Sequence, residues 1–315
     1  MTDAPIRPSF PARDVIILDG GLATELERRG NDLSDPLWSA RLLIEAPGEI
    51  VAAHLAYFRA GARVATSASY QASFEGFGAR GMDRLKATEL IGRSVELARE
   101  ARRQHRAESS PARDGREPSL FVAASVGPYG AVLADGSEYR GDYRLTVAEL
   151  ATWHAPRLAV LEDAGPDVLA IETIPSVDEG RALVELLARR PGPPAWLSFT
   201  CADGARTRHG EAVETAFALA EATDRIVAVG INCTAPEHAE ELVRRARAET
   251  DKAIVVYPNS GETWDPRARR WTGRVGTDVG AASAGRWLEA GASLIGGCCR
   301  VGPERIAELA AIALG

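Results

Sequence analysis

The chain alternates short apolar runs with longer amphipathic stretches. The apolar runs are Val15–Asp19, Val64–Ser69, Phe121–Val126, Val168–Ile174, Trp196–Thr200, Ile226–Asn232, Ala253–Tyr257 and Ser293–Gly296. They are brief and almost continuously hydrophobic, the pattern of strands buried on both faces of a parallel sheet. Between them lie segments with helical periodicity. Ala87–Arg102 places Leu90, Ile91, Val95 and Leu97 on a polar background. Ser176–Arg189, Glu211–Ala222, Pro236–Glu249 and Gly302–Leu314 read the same way, and Pro236 and Pro303 suit the first turn of a helix. Eight strand–helix repeats in about 300 residues predict an α/β fold, a (β/α)8 TIM barrel over residues 1–315 as one domain. A doubly wound open sheet is the alternative, because alternation does not by itself establish closure. Arg99–Pro118, rich in Arg, Glu, Ser and Pro, reads as a helix end and a solvated loop.

Composition narrows the function classes. The 315 residues are 45% hydrophobic and 26% charged, with a net charge of -7, so a sizeable core is available and no nucleic acid partner is expected. Met1–Arg13 is polar and contains three prolines, which does not suit a secretory signal. No apolar run approaches the ~20 residues that span a bilayer. A cytoplasmic location and no membrane partner are therefore expected.

The four cysteines, Cys201, Cys233, Cys298 and Cys299, all fall in the last 115 residues. Cys233 ends the sixth strand in GINCTAPEH, and Cys298 and Cys299 end the eighth in LIGGCCR. In a barrel both ends open on the same face, where active sites sit. Adjacent strand residues point to opposite sides, so Cys298 and Cys299 share a ligand only once the strand has ended. Gly296–Gly297 permits that departure. Three thiolates with one open position make a catalytic zinc site, and four make a structural one. Small buried core residues are the alternative for all of them. Cys201 follows the fifth strand and is either a fourth ligand or a bystander.

Polar groups gather at other strand ends. Asp19 precedes Gly20–Gly21, and Glu172 lies in AIETIP. A carboxylate in an apolar strand is costly unless paired, so these acids suit a substrate ammonium, an acid/base pair or a structural salt bridge. Gly20–Gly21 leads into LATELERRG and offers N–H groups as an anion seat. Ser67, Ser69, Tyr70 and Gln71 close the second strand, Asn232 stands beside Cys233, and Asn259 follows the seventh. No G-x-G-x-x-G, Walker loop, H-E-x-x-H or G-x-S-x-G is present.

Six segments together carry a resemblance: ILDGGLATELERRG, SYQAS, VGPYGAVLADGSEYRGDY, AIETIP, GINCTAPEH and GGCCRVGPERIAEL. In this order they resemble the homocysteine S-methyltransferase family, most closely the short stand-alone enzymes that use S-methylmethionine or S-adenosylmethionine. The resemblance implies a (β/α)8 barrel and a catalytic Zn2+ on Cys233, Cys298 and Cys299. It implies that Asp19, Gly20 and Glu172 hold the amino-acid part of L-homocysteine, with Ser67 assisting where the family often has threonine. Ala68 replaces a residue that is often polar, and Cys201 is not a ligand in the family pattern. The implied partners are L-homocysteine and a sulfonium methyl donor, and the product is methionine. No side chain is then needed as a catalytic base, because the zinc-activated substrate thiolate is the nucleophile. The competing readings are a barrel with a structural zinc or redox-sensing cysteines and no methyltransferase activity, or a lyase or hydrolase that uses Asp19 and Glu172. The oligomeric state is left open.

Overall fold

A computed structural model describes residues 15–33, 37–108, 119–265, 270–272 and 279–313. The strands are β1 (Ile16–Ile17), β2 (Val64–Thr66), β3 (Phe121–Val126), β4 (Val168–Ile174), β5 (Ala195–Phe199), β6 (Ile226–Asn232), β7 (Ala253–Tyr257), β8 (Thr263–Asp265), β9 (Arg270–Thr272) and β10 (Leu294–Ile295). Eight of them form one parallel sheet in the order β1-β10-β7-β6-β5-β4-β3-β2. The two outer strands of that order, β1 and β2, meet at a seam. Arg63 N–H donates to the Ile17 carbonyl at 2.7 Å, and the Asp19 carboxylate accepts from Thr66 N–H at 2.6 Å and Thr66 Oγ1 at 2.9 Å. The sheet is thus nearly closed into a (β/α)8 barrel, and an acid side chain replaces part of the missing strand ladder.

Strand parity explains where the site lies. Ile16, Leu18, Val64, Ala123, Val168, Ala170, Trp196, Ala228, Val255 and Leu294 form an inner apolar cluster. Alternate residues such as Ile17, Ala65, Val122, Leu169, Leu197 and Ile254 join the larger cluster shared with the helices. Following the inward parity toward the strand C-termini gives Thr66, Ser125, Glu172, Ser198, Asn232 and Tyr257. The barrel interior therefore changes from apolar at one end to polar at the other.

All eight predicted strands are present, and the predicted helices form at Arg84–Glu108, Val177–Ala188, Val213–Ala218, Ala239–Glu249 and Pro303–Ala313. The loop expected at the end of Arg99–Pro118 lies mostly outside the described residues, and Arg99–Glu108 is helix. Two long helices, Pro47–Arg59 and Val147–Asp163, are not legible in the apolar pattern. The second contains Pro156, which breaks helical periodicity. Its start is fixed instead by a capping box, in which Thr146 Oγ1 accepts from Glu149 N–H and Glu149 accepts from Thr146 N–H. The short antiparallel pair β8–β9 follows β7 and is a further addition. No helix among the described residues is long and apolar enough to cross a membrane.

His54, on helix Pro47–Arg59, is 0% exposed, and neither ring nitrogen has a hydrogen-bond partner among the described residues. Burial pushes its pKa down from 6.5 to about 4. Below pH ~6.5 the unfolded chain takes up a proton that the folded chain refuses, so stability is lost as the pH falls toward about 4. The gap corresponds to about 3 kcal/mol. Urea unfolding of the native chain and His54→Leu at pH 7.5 and 4.5 isolates this contribution from that of the carboxylates. The native chain is expected to lose about 2–3 kcal/mol more than the variant over that interval. Equal losses would show that His54 has no part in acid sensitivity.

Candidate active site and metal centre

Cys233 follows β6, while Cys298 and Cys299 follow β10, and the barrel brings the three sulfurs together. The ligand atoms all lie within 4.8 Å of one another. Cys233 Sγ is 2.6 Å from Cys298 Sγ and 3.8 Å from Cys299 Sγ. The first distance exceeds a disulfide bond of about 2.05 Å, and all four cysteines are free. A tetrahedral site with metal–sulfur bonds of about 2.3 Å has sulfur–sulfur edges of about 3.8 Å. The Cys233–Cys299 pair has that edge, and Cys298 reaches it by moving outward by about 1.2 Å. The donor set therefore fits a thiophilic cation. Hydrogen bonds from the neighbouring thiols pull the Cys233 thiol down.

Local backbone geometry makes the convergence possible. After β10 the chain leaves the sheet, and Cys298 N–H donates to the Pro258 carbonyl at 2.8 Å. Ser260 N–H donates to the Cys299 carbonyl at 3.1 Å. The turn packs directly on the end of β1. A Cβ on Gly297 would lie 2.1 Å from Val301 Cγ1, and one on Gly21 would lie 2.6 Å from the Cys298 carbonyl oxygen. Cys233 itself has φ 46° and Thr173 has φ 61°, the left-handed region that side chains avoid. Asn232 compensates. Its Oδ1 accepts from Thr173 N–H at 2.7 Å and Ser198 Oγ at 2.8 Å, and its Nδ2 donates to Thr173 Oγ1 at 2.7 Å. The same Nδ2 stands 4.0 Å from Cys298 Sγ. Strain at both positions sits beside the sulfur cluster, as is common at functional sites.

Cys201 does not join the cluster. It is buried, its backbone N–H donates to Thr234 Oγ1 at 2.9 Å, and burial pushes its thiol up to about 12. It behaves as a core residue, not as a fourth ligand.

The predicted acids face the sulfurs. Burial raises Glu172 to about 8, opposed by hydrogen bonds from Ser125 and Tyr257 and reinforced by the charges of Cys298 and Asp19. Ser125 Oγ donates to Glu172 Oε1, and Tyr257 OH donates to Oε2 at 3.2 Å. Tyr257 in turn accepts from the fully buried Trp196 Nε1 at 3.0 Å. Asp19 is raised to about 7, first by burial, against the two Thr66 hydrogen bonds. Two buried carboxylates so close to neutrality are short of positive charge, and an ammonium group between them would restore their ionised forms.

Ser67 completes this corner. Ser69 Oγ donates to the Ser125 carbonyl at 2.8 Å, so the 2.7 Å contact between Ser67 and Ser69 uses the Ser67 proton. Ser67 Oγ also accepts from Ser125 N–H at 3.1 Å. One lone pair remains, so Ser67 can offer a further partner only an acceptor. The anion seat expected at Gly20–Gly21 is weakened, because Gly21 N–H already donates to the Val301 carbonyl at 3.0 Å. Gly20 is required by packing, since a Cβ there would lie 2.3 Å from the Val301 carbonyl oxygen and 2.8 Å from the Tyr57 ring.

Several members of the site escape motif reading. Ser125, Ser198 and Tyr257 hold the acid and the asparagine, and each was visible only as a polar residue at inward parity near a strand end. Tyr139 lies near Cys233 and Cys299, and Tyr70 lies near Cys233 and Glu172. Asn259 Oδ1 is buried without a partner among the described residues.

The profile of the homocysteine S-methyltransferase family matches residues 16–313. A homocysteine S-methyltransferase of Bacillus subtilis is 46% identical over 307 residues, covering 98% of this chain and 97% of that protein. A selenocysteine Se-methyltransferase of Brassica oleracea is 46% identical over 92% of this chain and 86% of its own length. The metallated form of the homocysteine methyltransferase MmuM from Escherichia coli superposes with a TM-score of 0.85 at 45% identity, covering 98% of this chain and 99% of that one. The fold, the matched profile and near-full-length similarity to homocysteine methyltransferases agree: this chain belongs to the homocysteine S-methyltransferase family and is an enzyme that methylates the thiol of homocysteine.

Proposed function

We propose that the enzyme transfers a methyl group from a sulfonium donor, S-methylmethionine in preference to S-adenosylmethionine, to L-homocysteine, giving methionine, with Zn2+ held by Cys233, Cys298 and Cys299. The observation that carries this reading is the convergence of three thiols, from two strand ends, beside a buried Glu172 that has no ion-pair partner among the described residues. Bound there, Zn2+ would keep the homocysteine sulfur, an ordinary thiol of pKa ~8.5, as a thiolate at neutral pH.

The protein's own groups bind and orient. Asp19, Glu172 and Ser67 present acceptors to the substrate ammonium, and the Gly20 turn backs the amino-acid moiety. Asn232 holds Thr173 in its strained conformation, and the Tyr257 carbonyl and Thr200 Oγ1 hold the Cys233 backbone in its own. In the transfer, a lone pair on the homocysteine sulfur forms the new S–CH3 bond. The donor C–S bond breaks, and its electron pair returns to the donor sulfur as a neutral thioether. No proton moves at the methyl carbon, so no general base is required. Catalysis rests on proximity and alignment. The reducing cytoplasm suits a site built from free thiols.

A sulfonium donor brings positive charge to an anionic site, and the charges cancel in the transition state. This favours a sulfonium over a neutral methyl donor. Against betaine, whose ammonium is equally charged, the sulfonium has the better leaving group, a neutral thioether in place of a tertiary amine. The smaller S-methylmethionine is favoured over a donor that must also seat an adenosine. With zinc-loaded enzyme and saturating homocysteine, kcat/KM is expected to be higher for S-methylmethionine than for S-adenosylmethionine, with little or no turnover of betaine. Methionine formation reads the result. Betaine as the best donor would overturn the donor assignment, and no transfer from any of the three would overturn the function. The similarity to a selenocysteine methyltransferase favours a second acceptor class, selenols, and selenohomocysteine in the same assay tests it directly.

A further inference from the structure

One wall of the mouth is not used by the acceptor site. Its residues are Tyr70, which follows β2, Glu138 and Tyr139 on the short helical turn Ser137–Tyr139, and Arg208 beyond β5. Tyr139 lies near Cys233, Cys299, Tyr70 and Glu138, and Tyr70 lies near Cys233 and Glu138, so the two rings stand between the sulfur cluster and the carboxylate. Tyr70 is hydrogen-bonded to the side chain of Thr173, next to Glu172. The Arg208 guanidinium carbon stands 5.7 Å from the centre of the Tyr139 ring. Two charged atoms here are closed off from solvent without a hydrogen-bond partner among the described residues: Glu138 Oε2 and Arg208 Nε. Orphaned buried charge is expensive unless something completes it.

The wall is held rigidly from behind. The buried Arg157 donates to the carbonyls of Ser69 at 3.1 Å, Tyr70 at 3.0 Å and Gly127 at 3.2 Å. Glu179, also buried, accepts from Tyr129 N–H at 2.6 Å and pairs with His154 Nε2 at 2.9 Å. The backbone at Tyr70 and at Tyr129, the residue that opens the segment leading to Glu138 and Tyr139, is thus tied to two buried charged groups.

We infer that Tyr70, Glu138, Tyr139 and Arg208 form the methyl-donor subsite, with the sulfonium against the tyrosine rings beside Glu138 and the donor carboxylate on Arg208. This rests on the sulfonium-donor reading above. The chemistry matches group by group. An aromatic face and a carboxylate attract a sulfonium, and neither can act as a nucleophile toward it as readily as a thiolate. A guanidinium is a natural partner for a carboxylate. The spacing of charge also separates the two amino acids: the acceptor meets the acidic corner of Asp19 and Glu172, and the donor meets the mixed wall. Transfer turns the donor into a neutral thioether, which loses its attraction to Glu138 and the rings and leaves.

The test uses full-length, zinc-loaded enzyme with homocysteine and S-methylmethionine, and trimethylsulfonium as a competitive probe that has the cation but no carboxylate. Glu138→Gln is expected to raise the S-methylmethionine KM and the trimethylsulfonium Ki by about ten-fold or more. Arg208→Met, which keeps contact with the Tyr139 ring, is expected to raise the S-methylmethionine KM by a similar factor and leave the trimethylsulfonium Ki unchanged. Both variants should keep the homocysteine KM within about two-fold, which also verifies that they are folded. Donor constants unchanged in both variants, or a rise confined to the homocysteine KM, would overturn the donor-subsite assignment. Failure of the native enzyme to turn over S-methylmethionine would instead reject the donor reading on which it stands.

Discussion

Replacing Cys233 with serine is expected to remove the bound metal and lower turnover by more than about 100-fold, and Cys298→Ser and Cys299→Ser are expected to do the same. Hydrogen-bond partners behind a metal ligand are themselves worth about 10–100-fold in affinity or activity, and loss of a ligand exceeds that. Serine keeps the size of the side chain, and its hydroxyl stays protonated where a thiol becomes a thiolate. The three sulfurs form one cluster, and no other group of three metal-binding side chains lies so close among the described residues. Cys201→Ser is the internal control. Its sulfur lies in the core beneath Thr234 and outside the cluster, so metal content and activity should stay near native values. Metal analysis and steady-state assays of the four variants check this. Full activity in any of the first three would remove that cysteine from the site, and loss of metal in the fourth would make it a closed four-cysteine centre.

Glu172→Gln is expected to raise the homocysteine KM by about 10- to 150-fold, the value of a charged hydrogen bond of about 1.5–3 kcal/mol, with the metal retained. Glutamine can still accept from Ser125 Oγ and can donate to Tyr257 OH, so the side chain is expected to stay in place while its charge is removed. The effect should fall on KM, because the ammonium is held equally in the ground and transition states. An unchanged KM with a reduced kcat would assign Glu172 to acid/base chemistry, the alternative raised by its position in the sequence.

The fold was legible because each barrel strand is buried on both faces and therefore written as a short apolar run. Helix Val147–Asp163 was not, because Pro156 interrupts the pattern and the capping box at Thr146 carries the signal instead. The sulfur cluster was legible as strand-end cysteines preceded by Gly296–Gly297, but its convergence depends on the left-handed backbone at Cys233, which no residue type announces. Asp19 was read as a ligand-binding acid. The structure adds a second task, fastening β1 to β2 through Thr66, which follows from barrel closure and is invisible in one dimension. The partners of Glu172, Ser125 on β3 and Tyr257 on β7, lie 47 and 85 residues away. Such contacts are set by the barrel's order of strands, and sequence spacing carries no trace of them.

X-ray absorption at the zinc edge, recorded before and after adding homocysteine, tests the central claim most directly. The claim is a three-thiol centre whose remaining position takes the acceptor sulfur. The account predicts about three sulfur neighbours at roughly 2.3 Å and one lighter atom in the free enzyme, rising to about four sulfurs with homocysteine bound. Four sulfurs before substrate is added, or no change on adding it, would contradict the account.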